Sequence, residues 1–436
     1  MLCVYYLFLV LNSSEKTYSN PSEENPKNDT VMKIVQINAV YEYSSTGRTT
    51  MEMHEYLRSQ GVESYVFCSN KCIPEENVFQ VGNQWDYKLH SLMSRLTDGQ
   101  GLYSKKSTRK MLKCLDEITP DVVLLRNLHA NYIHFPSVLN YIAEKNIATI
   151  VVLHDVWTFT GHCCHYTEDN CDKWLTSCHH CPARSKYNKS WFWDNSASNF
   201  KKKRDLFGAI PRLTVIGVSK WVANEARKSP VFANAKHIDY IYNWIDLKKF
   251  YPRDANTIRN KLDLQGRFVV LSVAQGWSED KGLFKIFEVA KQLPEDRFVL
   301  VGRVAYDGEM PENVISVGVT SSTDELAQYY SMADTLLVCS VQETFGKVSA
   351  EALSCGTPVI ANNSTANPEL CGNGCGFIID NNDHEQMIKA INTIRKDGKS
   401  AYTNRCRSFA QDNFDKEKGI DNYVALFTEM IKGKSK

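Results

Sequence analysis

Residues 335–362, TLLVCSVQETFGKVSAEALSCGTPVIAN, read as one strand–helix–strand unit. TLLVCS and TPVIAN are short apolar runs of the kind that parallel sheets bury on both faces. KVSAEALS between them has helical spacing, with Gly346 at its start. Such a unit belongs to a doubly wound α/β sheet. Its helix begins just past the carboxyl end of a strand, so its free N–H groups and positive dipole end make a ready phosphate site.

The same alternation runs outward from this unit. Upstream come KIVQINAV, SYVFCS, DVVLLRN, ATIVVLHD, LTVIGVS and HIDYIYN, then FVVLSVA, RFVLVG and NVISVG, with helical patterns between most of them. The pattern restarts near Phe268, after the charged, turn-like DLKKFYPRDANT at 246–257. The expected architecture is two doubly wound, Rossmann-like α/β domains facing each other across a cleft. The first covers 32–250, including a Cys-rich insert at 161–182, and the second covers 251–414. A C-terminal helix at about 415–436 is expected to pack back on the first. Ligands of such sheets bind at the carboxyl ends of the strands, so those ends hold the candidate residues.

Composition narrows the partners. The 436 residues are 43% hydrophobic and 23% charged, with a formal net charge of +1, as in a soluble globular protein. That charge gives no global field, so nucleic acid is not an expected partner. The 14 cysteines sit in a chain too large for a disulfide scaffold. Cys68, Cys339 and Cys355 stand singly in apolar surroundings, as reduced thiols that pack like small hydrophobes, and a cytoplasmic location is expected. The apolar run CVYYLFLVL is about nine residues long, against about 20 for a membrane helix. Residues 1–31 are therefore expected to be a disordered or spurious extension, with a membrane tether as the alternative.

Within the opening unit, Glu343 lies just before the helix and Glu351 on its second turn. A carboxylate there suits a pair of vicinal hydroxyls; the plain alternative is a solvated helix residue. The context E-T-F-G-x-x-x-x-E-A-L-x-C-G-T-P-V-I resembles the hallmark of family-4 retaining glycosyltransferases of the GT-B fold, and the resemblance runs from Met32 to about Phe427. It implies that Glu343 contacts the transferred sugar and that Glu351 holds the ribose of a nucleotide. Thr344, Phe345 and Gly346 would offer backbone groups to sugar and phosphate.

The resemblance assigns further positions. In VLSVAQGWSEDKGLFKIFEVAKQL, Lys281 and Gly282 open a helix after a strand, and Lys281 is the expected ammonium for the donor diphosphate. Gln275, Trp277, Glu279 and Asp280 stand where a further basic residue is usual, so the phosphate clamp looks thin. NAVYEYSSTGRTT reads as a glycine loop in which Gly47 allows close backbone approach or positive φ, with Arg48 as a candidate missing cation. His129 is placed beside the reacting sugar, and His154 and Asp155 on the acceptor side. Each strand-end histidine has a structural alternative as a hydrogen-bonded core group.

The insert GHCCHYTEDNCDKWLTSCHHCP brings Cys163, Cys171, Cys178 and Cys181 close in sequence, the last two as C-x-x-C. That spacing suits a structural zinc, with disulfides and unligated thiols as alternatives and Cys164, His162, His165, His179 and His180 as competing ligands. No metal is expected in catalysis, and no Asp-x-Asp pair is present. ARSKYNKSWFWDNSASNFKKKRDLF mixes basic and aromatic residues, which suits peripheral contact with the inner membrane face; a solvated helix with inward aromatics is the alternative.

The expected activity is metal-independent, retaining transfer of a sugar from a nucleotide-diphosphate sugar to a glycan or lipid-linked acceptor, in surface polysaccharide assembly. The rivals are a degenerate nucleotide-sugar-binding paralogue and a nucleotide-sugar epimerase. A dehydrogenase is the weakest of all, since no strand is followed by G-x-G-x-x-G.

Overall fold

The apolar runs form two sheets in which every strand pairs in parallel. The computed structural model describes residues 31–433 apart from 70, 71, 74, 187, 373, 381 and 382. The expectations for the first 30 residues and the last three lie outside the described residues.

The first sheet contains β1 (Lys33–Ile37), β2 (Glu63–Cys68), β3 (Val78–Gln80), β4 (Val122–Leu125), β5 (Ala148–Leu153), β6 (Leu213–Gly217) and β7 (His237–Tyr240). Its spatial order is β3-β2-β1-β4-β5-β6-β7. The second contains β8 (Val269–Trp277), β9 (Arg297–Val304), β10 (Val314–Gly318), β11 (Thr335–Val338), β12 (Val359–Asn362) and β13 (Gly376–Ile379), in the order β10-β9-β8-β11-β12-β13. Each order reverses direction at one place, between β1 and β4 in the first sheet and between β8 and β11 in the second. Adjacent connections there leave toward opposite faces, so the strand ends part and open a crevice.

Burial explains why the runs became strands. Every residue of β4, β5, β6, β11 and β12 is buried, as sheets covered by helices on both faces require. β3 and β13 are edge strands of three and four residues with half-exposed patterns. Their apolar stretches, VF and FII, are shorter than those of the buried strands, and both add to the strands read from sequence.

The domains are tied where the chain passes between them. Arg407 donates to the carbonyls of Phe250, Ser354 and Leu247 at 2.6, 2.9 and 3.2 Å. The last helix, Lys416–Lys432, crosses to the first domain: Tyr56 donates to Asp421 at 2.6 Å, and the rings of Trp244 and Tyr423 lie 6.2 Å apart. In the reverse direction, Glu369 of the second domain accepts the N–H groups of Lys220 and Trp221 at 2.9 and 2.6 Å. A carboxylate there caps the N-terminus of the helix Lys220–Lys228.

One thiol expectation is corrected. Cys68 is not reduced; it is disulfide-bonded to Cys72, since the chain leaving β2 turns back and brings their Cα atoms to 5.8 Å. Cys339 and Cys355 are free and buried, as thiols that pack among apolar neighbours.

Candidate active site

The two strand ends at the switch point of the second sheet carry opposite charges. β8 ends in the tight turn Glu279–Lys281, which presents Lys281. Gly282 closes it at φ 77°, where a Cβ would stand 2.3 Å from the Cβ of Cys339. Only glycine lets the turn settle on the end of β11. β11 in turn leads to Glu343, and Lys281 Nζ lies 3.3 Å from Glu343 Oε1. Gly346, at φ 90°, then starts the helix Lys347–Ser354, and a Cβ there would press on Leu370 at 2.9 Å.

Glu351 is 5% exposed, which removes the solvated-helix alternative. Its Oε2 accepts the Tyr330 hydroxyl at 2.9 Å. Burial raises its pKa, against the opposing pull of Lys347, the Tyr330 hydrogen bond and Arg48. Glu351 lines a cleft of about 940 Å³ between the domains, together with Tyr41, Glu42, Ser44, Arg48 and Lys347. That volume suits a nucleotide-sized ligand.

Lys347 went unnoticed as a ligand group in the sequence, although it directly follows the motif glycine. Burial lowers the pKa of its ammonium, while Glu351 and Glu52 work to hold the charge. With Arg48 across the cleft, it adds cations where Gln275 to Asp280 offered none.

Gly47 is placed differently from the expectation. It lies in the first turn of the helix Ser44–Ser59, not in a loop, and its φ is not positive. A Cβ there would meet the backbone of Tyr41 and Glu42 at 3.2 Å, so the glycine allows the helix to pack on the segment before it. The left-handed turn falls instead on Glu42 and Ser44, with φ of 63° and 65°. Phe345 also contributes only backbone. Its ring packs against Tyr242 and Phe414, with centroids 6.1 and 5.4 Å away, in the region that joins the domains.

In the first domain, His129 and Asp155 come together from the ends of β4 and β5. His129 Nε2 lies 2.8 Å from Asp155 Oδ2, and Asp155 Oδ1 accepts the Trp157 N–H at 2.9 Å. Burial alone would raise the Asp155 pKa, but His129 and the Trp157 amide outweigh it and hold it at about 2. His154 faces Arg126, with Nε2 at 3.2 Å from the guanidinium. Arginine has only donors, so Nε2 accepts. Burial, then the Arg126 charge, hold His154 at about 3, which keeps it neutral. Its ring is thus engaged in the core, while its carbonyl accepts the Thr344 hydroxyl at 2.8 Å and joins the two halves of the site.

Arg126 is 3% exposed and also binds Gln36 Oε1 at 3.1 Å and Thr49 Oγ1 at 3.4 Å. An arginine ending a run as apolar as DVVLL is the signal that sequence reasoning passed over. His165, weighed only as a metal ligand, stands near the chemistry: burial lowers its pKa, and its charged neighbours are Asp155, Glu343 and Lys281.

The four expected metal ligands Cys163, Cys171, Cys178 and Cys181 line one small cavity. No three of their sulfurs lie within 4.8 Å of one another; among the described residues the only such trio of potential ligand atoms is on His129, Asp155 and Cys164. Past them, Trp191, Phe192 and Trp193 are 48, 67 and 64% exposed on an irregular segment. The inward-packed helix is thereby excluded for these three rings.

Two family models match nearly end to end: one described as Glycosyltransferase Family 4 at residues 46–249, and one described as Glycosyl transferases group 1 at 254–428. The chain belongs to these glycosyltransferases. Their two-domain arrangement is GT-B. The chain is 24% identical over 291 residues to a putative colanic acid biosynthesis glycosyl transferase, WcaC of Escherichia coli K12, covering 62% of this chain and 66% of that one. The matches span 41 to 66% of the length of curated relatives such as these. Sucrose-phosphate synthase from Thermosynechococcus elongatus superposes with a TM-score of 0.67 at 16% identity, over 92% of this chain and 100% of that one. Anabaena HepE, solved with UDP and glucose, gives a TM-score of 0.60 at 17% identity, over 91 and 99%.

Proposed function

We propose that this glycosyltransferase moves a sugar, with retention, from a nucleoside-diphosphate donor to a glycan or lipid-linked acceptor in surface polysaccharide assembly. The observation that carries the reading is the meeting of two polar pairs from the two domains, beside a cleft that holds the motif glutamate. Lys281 and Glu343 stand on one side and His129 and Asp155 on the other, joined through the Thr344–His154 contact, and Glu351, Arg48 and Lys347 line a cleft of about 940 Å³.

In this reading the ribose binds Glu351. The diphosphate lies against the N-terminus of the helix Lys347–Ser354, where dipole and free N–H groups favour anions. Lys281, Arg48 and Lys347 neutralise the charge that grows on the leaving phosphate, so neutralisation rests on side-chain cations. Glu343 faces the sugar as its anomeric carbon becomes oxocarbenium-like. His129, oriented by Asp155, contacts the sugar and the incoming hydroxyl, and the leaving phosphate oxygen takes the hydroxyl proton. The relation to WcaC supports a polysaccharide setting, and the likeness to HepE supports UDP as the first nucleotide to try.

A lipid-linked acceptor fits the surface beside the insert. Trp85 and Leu89 are exposed on the helix Gln84–Thr97, and Trp191 donates its N–H to the Arg95 carbonyl at 2.7 Å, which sets Trp191 to Trp193 next to that helix. Aromatic rings among basic side chains are the make-up of a face that rests on an anionic bilayer. Among the described residues, no helix is long and apolar enough to cross a membrane.

The test is thermal stabilisation by a panel of nucleoside diphosphates and their sugars. A ligand at 100 times its Kd contributes about 2.7 kcal/mol. A shift with one nucleotide, lost in Glu351→Ala, is the expected result; no shift with any of them overturns the donor site. Retention is then read by NMR from the anomeric configuration of the first product formed.

A further inference from the structure

The insert at 161–182 is long and nearly without regular structure; its elements among the described residues are the short turns Lys173–Leu175 and, at its end, Pro182–Ser185. A segment of this length inside a compact domain needs something other than a backbone ladder to hold it. Its four cysteines, Cys163, Cys171, Cys178 and Cys181, line one small cavity of about 10 Å³. The Gly161 N–H donates to Cys178 Sγ at 3.2 Å, inside that group.

Two further groups point at the same place. His162 is 4% exposed and lines that cavity; its Nδ1 is engaged by the Asp98 carboxylate, while Nε2 has no hydrogen-bond partner among the described residues. A buried ring nitrogen left unpaired in this way calls for a partner inside the cavity. Lys203 is 1% exposed, and its Nζ donates to the carbonyls of Trp157 and Thr160 at 2.6 and 2.9 Å. It makes no salt bridge among the described residues. A buried ammonium without a carboxylate needs negative charge nearby, and the insert cysteines are its neighbours.

We propose that Cys163, Cys171, Cys178 and Cys181 bind one Zn²⁺ as thiolates and that this ion staples the insert. Each thiol gives its proton to solvent as its Zn–S bond forms, and no electron is transferred. Four sulfurs in tetrahedral array select zinc among common divalent ions. The completed site carries two negative charges, matched by Lys203 and by an Nε2–H of His162 turned to the thiolates. Zn–S bonds of about 2.3 Å draw the four sulfurs inward from their present spacing. The staple bears on the acceptor side of the cleft. Thr160 Oγ1 donates to the Cys163 carbonyl at 2.6 Å, and the Val156 N–H donates to that of Cys164 at 3.1 Å, next to Asp155.

The experiment measures zinc by plasma mass spectrometry in the full chain, purified under reducing conditions. About one zinc per chain is expected, lost in Cys178→Ser and Cys181→Ser and kept in Cys114→Ser. Ligand variants that fail to fold leave a second measurement on the wild-type chain. Zinc is released by a mercurial reagent and replaced by Co²⁺, which should give the intense visible bands of a tetrahedral cobalt thiolate. A folded wild-type chain without zinc, with no cobalt bands, overturns the proposal. So does mass-spectrometric detection of disulfides among the four cysteines. Nucleotide binding serves as the separate readout: it should survive chelation, because Glu351, Lys347 and Lys281 lie on the other sheet and Arg48 lies on a helix apart from the insert.

Discussion

The donor half and the acceptor half of the cleft are built by different means. On the donor side, local chain geometry aims each group: a turn closed by Gly282, a helix opened by Gly346, and Glu351 one turn further on. The turn and the helix are themselves brought together over 62 residues, where Lys281 meets Glu343. On the acceptor side, the groups that matter meet across long stretches of sequence. His129 reaches Asp155 over 26 residues, Arg126 reaches Gln36 over 90, and His162 reaches Asp98 over 64. A phosphate is recognised by backbone N–H groups and a point charge, which a short motif encodes. An acceptor is recognised by side chains gathered from several elements, which no single motif records.

The sharpest way to break this comparison is at the Lys281–Glu343 pair. Glu343→Gln or Lys281→Ala should each lower kcat by about 10²- to 10³-fold, the scale of removing one preorganised charge. Nucleotide affinity should change little. A double variant with wild-type turnover would remove the pair from the mechanism. Glu351→Ala should do the reverse, weakening nucleotide binding by about 10- to 100-fold through loss of a hydrogen bond to a charged group. Calorimetry on the nucleotide alone separates the two outcomes. Equal effects on binding and turnover at both positions would erase the division of labour.

What the sequence revealed follows the same division. The buried strands were legible because continuous apolar runs mean sheets covered on both faces, and β3 and β13 were missed because their apolar stretches, VF and FII, are too short to stand out. Glu343, Glu351 and Lys281 were legible from one motif and one strand–turn–helix placement. Lys347 was not, because a lysine on a helix is usually a solvated charge and only the facing domain turns it into a cleft residue. His154 was assigned to the acceptor side because strand ends point there, yet Arg126 takes its ring. Gly47 was read as a loop glycine because the helix start lacks a strong capping residue: Tyr43 holds the cap position, and its side chain does not cap the helix.

Acid should separate the two domains. His54, His90, His134, His154 and His165, all in the first domain, have pKa values lowered chiefly by burial, His90 to about 3 and His134 to about 4. Below pH 6.5 the unfolded chain binds protons that these groups refuse, so stability falls as pH drops. His90 alone, 1% exposed, should cost about 2 kcal/mol at pH 5. His162 works against this trend, since Asp98 keeps its pKa raised despite burial. The second domain holds a single histidine, His384, among its described residues. Hydrogen exchange at pH 7.5 and pH 5 should show protection lost first around β1, β4 and β5 and kept around β8, β11 and β12. Equal loss in both sheets would contradict the assignment.

The smallest effect on the fold belongs to the exposed rings. Phe192 and Trp193 are 67 and 64% exposed, and the one ring beside Phe192 among the described residues is Trp191, with centroids 6.5 Å apart. Phe192→Ser with Trp193→Ser should therefore shift folding stability by no more than about 0.5 kcal/mol, as surface changes do. Nucleotide binding should be untouched, because the donor groups lie across the cleft. Yet the same pair of changes should lower co-sedimentation with anionic phospholipid vesicles several-fold, since these rings and the basic side chains around them form the face assigned to the bilayer. Raising salt should weaken the basic contribution, about 1 kcal/mol for each residue near the surface, and leave the aromatic part. Vesicle binding equal to wild type in the double variant would take the membrane out of the account and make a soluble glycan the acceptor to test.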